Sequence, residues 1–269
     1  MIRAVLVGAT GRMGQAIICA AAKFPDIAIT AAVASAASAH LGRDAGELAG
    51  AQTLGVAITH DLLAALQDAD VVIDFSTAPA TAAHLFACRQ AKRPLLLGTT
   101  GHTAAQQDAF AVAARDLALL VAPNTSLGVT LLLELARTAA SVLPRDFDVE
   151  VIEAHHRMKS DAPSGTALAL GAVIAQARAQ ELAAVAVMGR SGVAPRRPGD
   201  IGFAALRGGD EVGRHTVLFA GDGEELTLTH RATDRNIFAR GALKAAAWLS
   251  SRPAGLYSMR DIFIDKTGC

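Results

Sequence analysis

The segment IRAVLVGATGRMG, at residues 2–14, gives the clearest indication of the fold. Its apolar run Ala4–Val7 predicts a buried β-strand, which leads into a loop with glycines at positions 8, 11 and 14. In such a loop the first glycine permits a tight turn, the second lets backbone approach a pyrophosphate, and the third allows close packing of helix on strand. The next helix would face the phosphates with its N-terminal N–H groups. The segment therefore predicts a dinucleotide-binding loop.

The first half of the chain alternates apolar runs with helical stretches. Buried strands are also predicted at 27–33, 71–75, 95–97 and 118–122, and amphipathic helices at 79–91 and 104–115. Thr103 and Gln106 stand in capping-box spacing at the start of the latter helix. This alternation indicates parallel βαβ units, hence an α/β fold with a Rossmann-type sheet and helices on both faces. The spacing GxxGxxG also suits an empty tight turn, but the βαβ context favours a dinucleotide.

The pattern changes in the second half. A long helix is predicted at 128–142, a strand at 148–154, a helix at 164–181, and strands at 202–207, 212–220 and 225–232. The last two strands flank Gly221-Asp222-Gly223, which favours a hairpin turn. We therefore predict a second, α+β domain with a mixed or antiparallel sheet. The predicted boundaries are 1–126 for the dinucleotide domain, completed by 237–269, and 127–236 for a domain of substrate binding and oligomerisation.

Composition narrows the class of protein. The 269 residues are 52% hydrophobic with a formal net charge of +0, so neither nucleic acid nor a membrane surface is expected as a partner. Cys19, Cys88 and Cys269 are scattered and form no CxxC pair, which favours reduced thiols over disulfides or a zinc site. The N-terminus lacks the apolar core of a signal peptide, and Pro123 interrupts the longest uncharged stretch. We expect a cytoplasmic enzyme.

Two further loops follow predicted strands. Gly98-Thr99-Thr100-Gly101 comes after the 95–97 strand, and Ala122-Pro123-Asn124-Thr125 comes after the next. Small residues and an amide there would let the backbone reach a nicotinamide ring and its ribose. The same residues are also common in loops that bind no ligand. The second strand ends at Ala34 and Ser35 without the carboxylate that usually binds the adenosine ribose.

The segment EAHHRMKSDAPSGT, at residues 153–166, carries the most chemistry. It places His155, His156 and Lys159 between a strand and a helix start. Cations beside an open helix N-terminus make a receptor for carboxylates or phosphates, and a histidine there exchanges protons near neutral pH. The alternatives are a solvated turn or a metal site. No carboxylate or thiol stands at usual ligand spacing, and His84 and Cys88 are interpreted as helix packing, so no metal is predicted.

These motifs together resemble the 4-hydroxy-tetrahydrodipicolinate reductase (dihydrodipicolinate reductase) family. The matching stretches are VGATGRMG at 7–14, GRDAGELAG at 42–50, DFS at 74–76, GTTG at 98–101, APN at 122–124, EAHHRMKSDAPSGTA at 153–167 and IGFA at 201–204. They span most of the chain in the family's order, and the His-His…Lys…Ser-Gly-Thr segment is highly specific.

The resemblance implies a reaction, a cofactor and an assembly. NADH or NADPH would reduce a small cyclic dicarboxylate to tetrahydrodipicolinate on the diaminopimelate route to lysine, in a homotetramer. It implies that His155 donates or accepts the catalytic proton and that Lys159 is a second proton donor. The implied substrate residues are His156, Lys159, Gly165 and Thr166. The implied cofactor residues are Gly8, Ala9, Thr10, Gly11, Arg12, Met13, Gly98, Thr99, Thr100, Ala122, Pro123, Asn124 and Thr125.

Ala34 and Ser35 depart from the family pattern, in which a carboxylate and a basic residue are common, and Thr125 and Thr130 also replace expected types. Without an acid there, nothing repels the 2′-phosphate of NADPH, which Arg12 would reach and Ser35 would hydrogen-bond. We therefore expect both cofactors to work, with a modest preference for NADPH. Two other functions fit a dinucleotide domain: a homoserine- or semialdehyde-type dehydrogenase, and a non-catalytic NAD(P)-binding sensor.

Overall fold

The computed structural model describes residues 1–264, so Cys269 and the end of the predicted 237–269 segment lie outside the described residues. The strands are β1 (Ile2–Val7), β2 (Ile27–Val33), β3 (Ile58–Thr59), β4 (Val71–Asp74), β5 (Leu95–Leu97), β6 (Ala118–Val121), β7 (Asp148–His155), β8 (Ala186–Met188), β9 (Ile201–Arg207), β10 (Gly213–Gly221), β11 (Glu224–Ala232) and β12 (Gly255–Tyr257). The helices are α1 (Arg12–Ala21), α2 (Ala45–Leu48), α3 (Leu62–Ala65), α4 (Thr81–Ala91), α5 (Ala104–Ala113), α6 (Leu127–Val142), α7 (Gly165–Ala177), α8 (Leu182–Val185), α9 (Asn236–Leu249) and α10 (Asp261–Ile264).

The chain forms two compact units. Unit 1 comprises Met1–Leu127 and the chain from Asn236 onward, and unit 2 comprises Gly128–Arg235. In unit 1 the strands form one sheet in the order β12-β6-β5-β4-β1-β2-β3, and every pair is parallel. This confirms the predicted α/β class. The edge strands β3 and β12 were not predicted, because two or three residues carry too little apolar pattern.

Both faces of the unit 1 sheet are covered by helices. One face packs against α1 and α9, through residues such as Ile17 and Leu243, and the other packs against α4 and α5, through Leu85 and Phe110. Strands buried on both sides must be apolar along their whole length, which explains the uninterrupted run Ala4–Val7. The capping box at Thr103 is confirmed.

Unit 2 contains a five-stranded mixed sheet in the order β11-β10-β7-β9-β8. Strand β10 is antiparallel to β7 and β11, whereas β7, β9 and β8 run parallel. The predicted hairpin between β10 and β11 is confirmed, with Gly223 at φ +83°. Helix α7 ends at Ala177, short of the predicted residue 181, because the chain turns through a left-handed conformation at Ala179.

Helices α6 and α7 cover one face of the unit 2 sheet, where Leu132 and Ile174 pack against Val151 and Phe219. The opposite face presents Ile152, Ala204, Leu206, Thr216 and Leu218, which are partly buried or exposed and lie outside this core. Among the described residues of the whole chain, no helix is long and apolar enough to cross a membrane.

Candidate active site

The three glycines of the first loop differ in their surroundings. Gly8 has φ +80°, and a Cβ there would lie 2.5 Å from the backbone oxygen of Phe75. Gly14 is buried, and a Cβ on it would collide with the backbone at Gly8 and Ala9. Gly11 is exposed and extended, and its Cβ would meet only the Gly8 oxygen at 3.2 Å. Folding therefore requires Gly8 and Gly14, whereas Gly11 leaves space for an incoming ligand.

The start of α1 fits a pyrophosphate. Gly11 is its N-cap and supplies no side-chain cap, and the first turn contains no acidic residue. Its first N–H groups are therefore available to an anion, because no side chain caps them. Arg12 is exposed, Thr10 accepts a hydrogen bond from Gln15 through its backbone oxygen, and Met13 packs partly against the core.

The carboxyl end of β2 carries the residues that would meet the adenosine ribose. Ser35 is exposed, and its hydroxyl oxygen accepts a hydrogen bond from the Ala37 N–H at 3.3 Å. Arg43, which sequence reasoning missed, is exposed on a loop tied to this end through β3, since the neighbouring Gly42 N–H donates to Ile58. A guanidinium nitrogen of Arg43 lies 3.3 Å from His40 Nδ1. Arg43 is the one basic residue of the GRDAGELAG motif, so the motif is the signal that points to it.

A buried carboxylate organises the loop after β5. Asp74, at the end of β4, is fully buried and accepts hydrogen bonds from the Ser76 N–H at 2.8 Å and the Thr99 hydroxyl at 3.3 Å. Its other oxygen lies 2.8 Å from His84 Nδ1, so the interpretation of His84 as helix packing was incomplete. Gly98 is required here because a Cβ would collide with the Phe75 ring. The Asp74 carboxylate therefore fixes the Thr99 side chain.

A cleft of roughly 580 Å³ lies at this edge of the unit 1 sheet, lined by Thr100 and Pro123 among others. Ala122 is buried beside it and donates its N–H to the Leu97 oxygen. Asn124 and Thr125 shape the loop: the Asn124 amide oxygen accepts from Ser126 N–H, and the Thr125 hydroxyl donates to the Phe238 oxygen at 2.7 Å. Three predicted cofactor residues, Thr99, Thr100 and Pro123, therefore line the cleft.

In unit 2 the candidate chemistry is centred on His155 at the end of β7. His155 is 8% exposed, and its Nδ1 lies 2.5 Å from Oε2 of Glu153, which is 1% exposed. The two residues are two apart on a strand, so both side chains point to the same face. Arg207 on β9 donates to both oxygens of Glu153, at 2.7 and 2.8 Å. This forms a buried histidine–carboxylate–guanidinium network.

Burial and charge set the ionisation of this network. Burial opposes ionisation of Glu153, but the hydrogen bonds from Arg207 and His155 hold the pKa of this carboxyl below its ordinary value. Burial lowers the pKa of His155, with the Glu153 hydrogen bond opposing it and Lys159 adding repulsion. Burial, with repulsion from His155, lowers the pKa of His215 to about 4. His215 also lies 3.0 Å from the Ser164 hydroxyl.

The remaining predicted substrate residues are linked to the same network. The Lys159 ammonium donates to both oxygens of Asp161, at 2.7 and 2.9 Å, and Arg207 donates to the Asp161 backbone oxygen. Ser164 caps α7 by accepting from the Ala167 N–H, and its own N–H donates to Glu153.

Helix α7 begins at Gly165, which is exposed, with Thr166 next in the first turn. His156 Nε2 lies 3.1 Å from an Arg235 guanidinium nitrogen. Arg207 and Lys159 therefore lie close to the start of α7, through Glu153 and Ser164 and through Asp161, and such cations can receive an anion.

Sequence reasoning missed Glu153 and Arg207 in this cluster. The alternation of β7 would have placed Glu153 on the His155 face, but Arg207 lies 54 residues from Glu153 and no local pattern joins them.

Among the described residues, no group of three or more His, Cys, Asp or Glu side chains is placed to hold a metal ion. Burial raises the pKa of the Cys88 thiol to about 12.

Comparison with known families covers nearly the whole chain. The family model described as "Dihydrodipicolinate reductase, N-terminus" matches residues 2–125, and "Dihydrodipicolinate reductase, C-terminus" matches residues 128–263.

Several similar proteins are 4-hydroxy-tetrahydrodipicolinate reductases. The 4-hydroxy-tetrahydrodipicolinate reductase of Halorhodospira halophila is 49% identical over 258 residues, covering 96% of this chain and 97% of its own. That of Nitrosospira multiformis is 46% identical over 258 residues, covering 96% of each. Among solved structures, the dipicolinate-bound dihydrodipicolinate reductase of Paenisporosarcina sp. TG-14 has a TM-score of 0.79 and 26% identity, covering 97% of this chain and 99% of its own.

Proposed function

Because the chain belongs to the dihydrodipicolinate reductase family, we propose that it reduces 4-hydroxy-tetrahydrodipicolinate to tetrahydrodipicolinate in the diaminopimelate route to lysine. NADPH or NADH supplies the hydride when bound. One observation of the structure carries the assignment: a buried His155–Glu153–Arg207 network beside Lys159 and the start of α7. This combines a proton-exchanging imidazole with a receptor for carboxylates.

The substrate is a dicarboxylate, and the proposed receptor has the matching charge. Lys159 and His156 would bind carboxylate oxygens, and the first turn of α7 would present the backbone of Gly165 and Thr166 to them. The dipicolinate bound by the solved Paenisporosarcina relative is itself a small dicarboxylate. In the free protein Asp161 accepts the hydrogen bonds of Lys159, so substrate binding would exchange one carboxylate for another.

His155 is the proposed proton donor. Hydride addition to the conjugated ring system leaves negative charge on it, and a positioned acid must neutralise that charge. The imidazole lies at the carboxyl end of β7, where Nδ1 is held by Glu153 and Nε2 stands beside Gly213. Lys159 would assist as a second proton donor while it binds a carboxylate.

The cofactor would lie along the glycine loop. Gly8 to Met13 would receive the pyrophosphate, while Gly98 to Thr100 and Ala122 to Thr125 would shape the nicotinamide end. We expect both cofactors to work, with a modest preference for NADPH, because Arg12 and Arg43 are exposed cations and Ser35 is a further hydroxyl donor. A strong kcat/KM preference for NADH would contradict this.

Assembly is proposed to be a homotetramer. The sheet face bearing Ile152, Leu206 and Leu218 lies outside the core of unit 2, and Leu206 is 54% exposed. Apolar residues on such a face are typical of subunit interfaces. Light scattering at micromolar concentration should give four times the chain mass, and a monomer would contradict the assignment.

One assay tests the proposed activity. Purified protein is mixed with NADPH and freshly made product of dihydrodipicolinate synthase, and oxidation is followed at the nicotinamide absorbance. Substrate-dependent oxidation that dipicolinate inhibits supports the assignment. NADPH binding without oxidation would support the non-catalytic sensor instead, and oxidation only with a semialdehyde would support the other class of dehydrogenase.

A further inference from the structure

Strand β7 carries two glutamates with opposite environments. Glu150 faces the side away from the core and is paired with Arg190 and Arg196, and its side chain is 25% exposed. Glu153 faces the core side and is 1% exposed. A carboxylate this deeply buried is costly unless every oxygen is hydrogen-bonded, so its partners reveal what it is for.

The partners of Glu153 all present hydrogens to it. Oε1 accepts from the Arg207 guanidinium at 2.7 Å and the Ser164 N–H at 3.1 Å. Oε2 accepts from Arg207 at 2.8 Å and faces His155 Nδ1 at 2.5 Å. Since the pKa of Glu153 is held below its ordinary value, the carboxylate is ionised at neutral pH and Nδ1 carries the proton. This leaves Nε2 of His155 as the atom that exchanges protons.

We propose that Glu153 is a positioning residue for the reduction: it fixes the tautomer and orientation of His155, and Arg207 and Ser164 hold it in place. This inference rests on the proposed function. During turnover the proton would leave Nε2 of the imidazolium for the substrate, and a bound nicotinamide cofactor would supply the hydride. The neutral imidazole keeps its Nδ1–H bond to Glu153, and Nε2 then regains a proton from water. Glu153 remains ionised throughout.

The surrounding charges make Glu153 the counterion of His155. Lys159 in the loop before α7 and Arg207 on β9 both disfavour a positive charge at the imidazole. Glu153 favours it through both its hydrogen bond and its charge. Removing the carboxylate should therefore lower the pKa of His155. As the pH is raised, the variant should lose its activity at a lower pH than the wild type does.

The test compares Glu153→Gln with Glu150→Gln, the same substitution on the same strand at a carboxylate that contacts two arginines but no histidine. We expect Glu153→Gln to lower kcat by roughly 10²–10³, in the range of a positioned acid–base group, with NADPH affinity unchanged and the alkaline limb of the pH–rate profile moved to lower pH. Glu150→Gln should remain within about threefold of wild type. Equal kcat and pH profiles for the two variants would overturn the proposal.

A double-mutant cycle separates positioning from a general structural role. If Glu153 acts through His155, then the double variant should have a kcat within about threefold of that of His155→Ala alone. The proposal would be overturned if the kcat losses of the two single variants multiplied in the double variant. If Glu153→Gln fails to fold, Glu153→Asp replaces it, because aspartate keeps the negative charge beside Arg207 but is too short to reach His155 Nδ1. The kcat of Glu153→Asp should fall at least tenfold. An unchanged kcat would also overturn the proposal. High activity in His155→Ala itself would refute the proposed function, not only this inference.

Discussion

The glycine loop of unit 1 and the His155 network of unit 2 are proposed to bind charged molecules by different physical means. The loop contributes space and backbone N–H groups: Gly11 is exposed, and nothing caps the helix that follows it. The network contributes buried, mutually compensated side-chain charges: Glu153, His155 and Arg207 are held within hydrogen-bonding distance. Added atoms should weaken the first site, and removed charges should weaken the second. The two should therefore fail separately when mutated.

The largest effect among single side chains of the substrate receptor is expected at Lys159. Lys159→Ala should lower kcat/KM by roughly 10²–10³, because a charge-assisted hydrogen bond is worth about 1.5–3 kcal/mol and proton delivery adds to it. Both KM and kcat should change in steady-state assays. Arg157→Ala, at an exposed cation two positions earlier, is the matched control and should stay near wild type. Equal losses in the two variants would indicate nonspecific electrostatics.

Acid should destabilise unit 2 through His215. Its folded pKa of about 4 lies below the unfolded value near 6.5, so the unfolded chain binds the proton first and stability falls as pH drops between those values. From pH 7 to pH 5 the loss is on the order of 2 kcal/mol. His215→Gln should show a smaller drop in melting temperature over that range, and His60→Gln, at an exposed histidine of unit 1, should match wild type. Identical pH dependence in all three proteins would contradict this.

Two glycines of the loop should respond oppositely to one added methyl group. Gly11→Ala should fold normally, because its Cβ would meet only the Gly8 oxygen. It should weaken NADPH binding about tenfold, which corresponds to about 1.4 kcal/mol, because the methyl group would occupy the space proposed for the pyrophosphate. Gly14→Ala should instead lower the melting temperature, because its Cβ collides with buried backbone. Fluorescence titration and calorimetry measure the two quantities. Loss of stability without loss of affinity in Gly11→Ala would remove the ligand role of that position.

The smallest effect is expected at Asp161, which holds the Lys159 ammonium in the free protein. Its side chain is 55% exposed, and exposed ion pairs contribute about 0.2–1 kcal/mol. Asp161→Asn should therefore lower the substrate KM by no more than about fivefold, with kcat almost unchanged. A raised KM would show that Asp161 positions Lys159 rather than competing with the substrate for it.

The same contrast explains what the sequence predicted. The glycine loop is a local structure of seven residues, so its spacing and the preceding apolar strand were enough to locate it. The buried parallel strands could be predicted for the same reason, because each is a nearly continuous apolar run. Strands β3 and β12 are too short to show such a run. The cations of the 153–166 segment were readable because they are adjacent in sequence.

The contacts that the sequence did not predict join residues far apart in the chain. Glu153 contacts Arg207, and Ser164 contacts His215 across 51 positions, through pairing of β7 with β9 and β10. No periodicity in a single sequence encodes such a pairing. Asp74 belongs to the DFS motif, yet its contact with Thr99, 25 positions away, depends on β4 lying beside β5.

The most direct test of the division between the two sites is the kinetic and binding behaviour of His155→Ala. We predict that kcat for substrate-driven NADPH oxidation falls by roughly 10²–10⁴, the usual worth of a positioned acid–base group. NADPH affinity, measured by fluorescence on the same preparation, should stay near wild type because the glycine loop is untouched. Turnover within a few-fold of wild type would contradict the assignment of His155 as the proton donor.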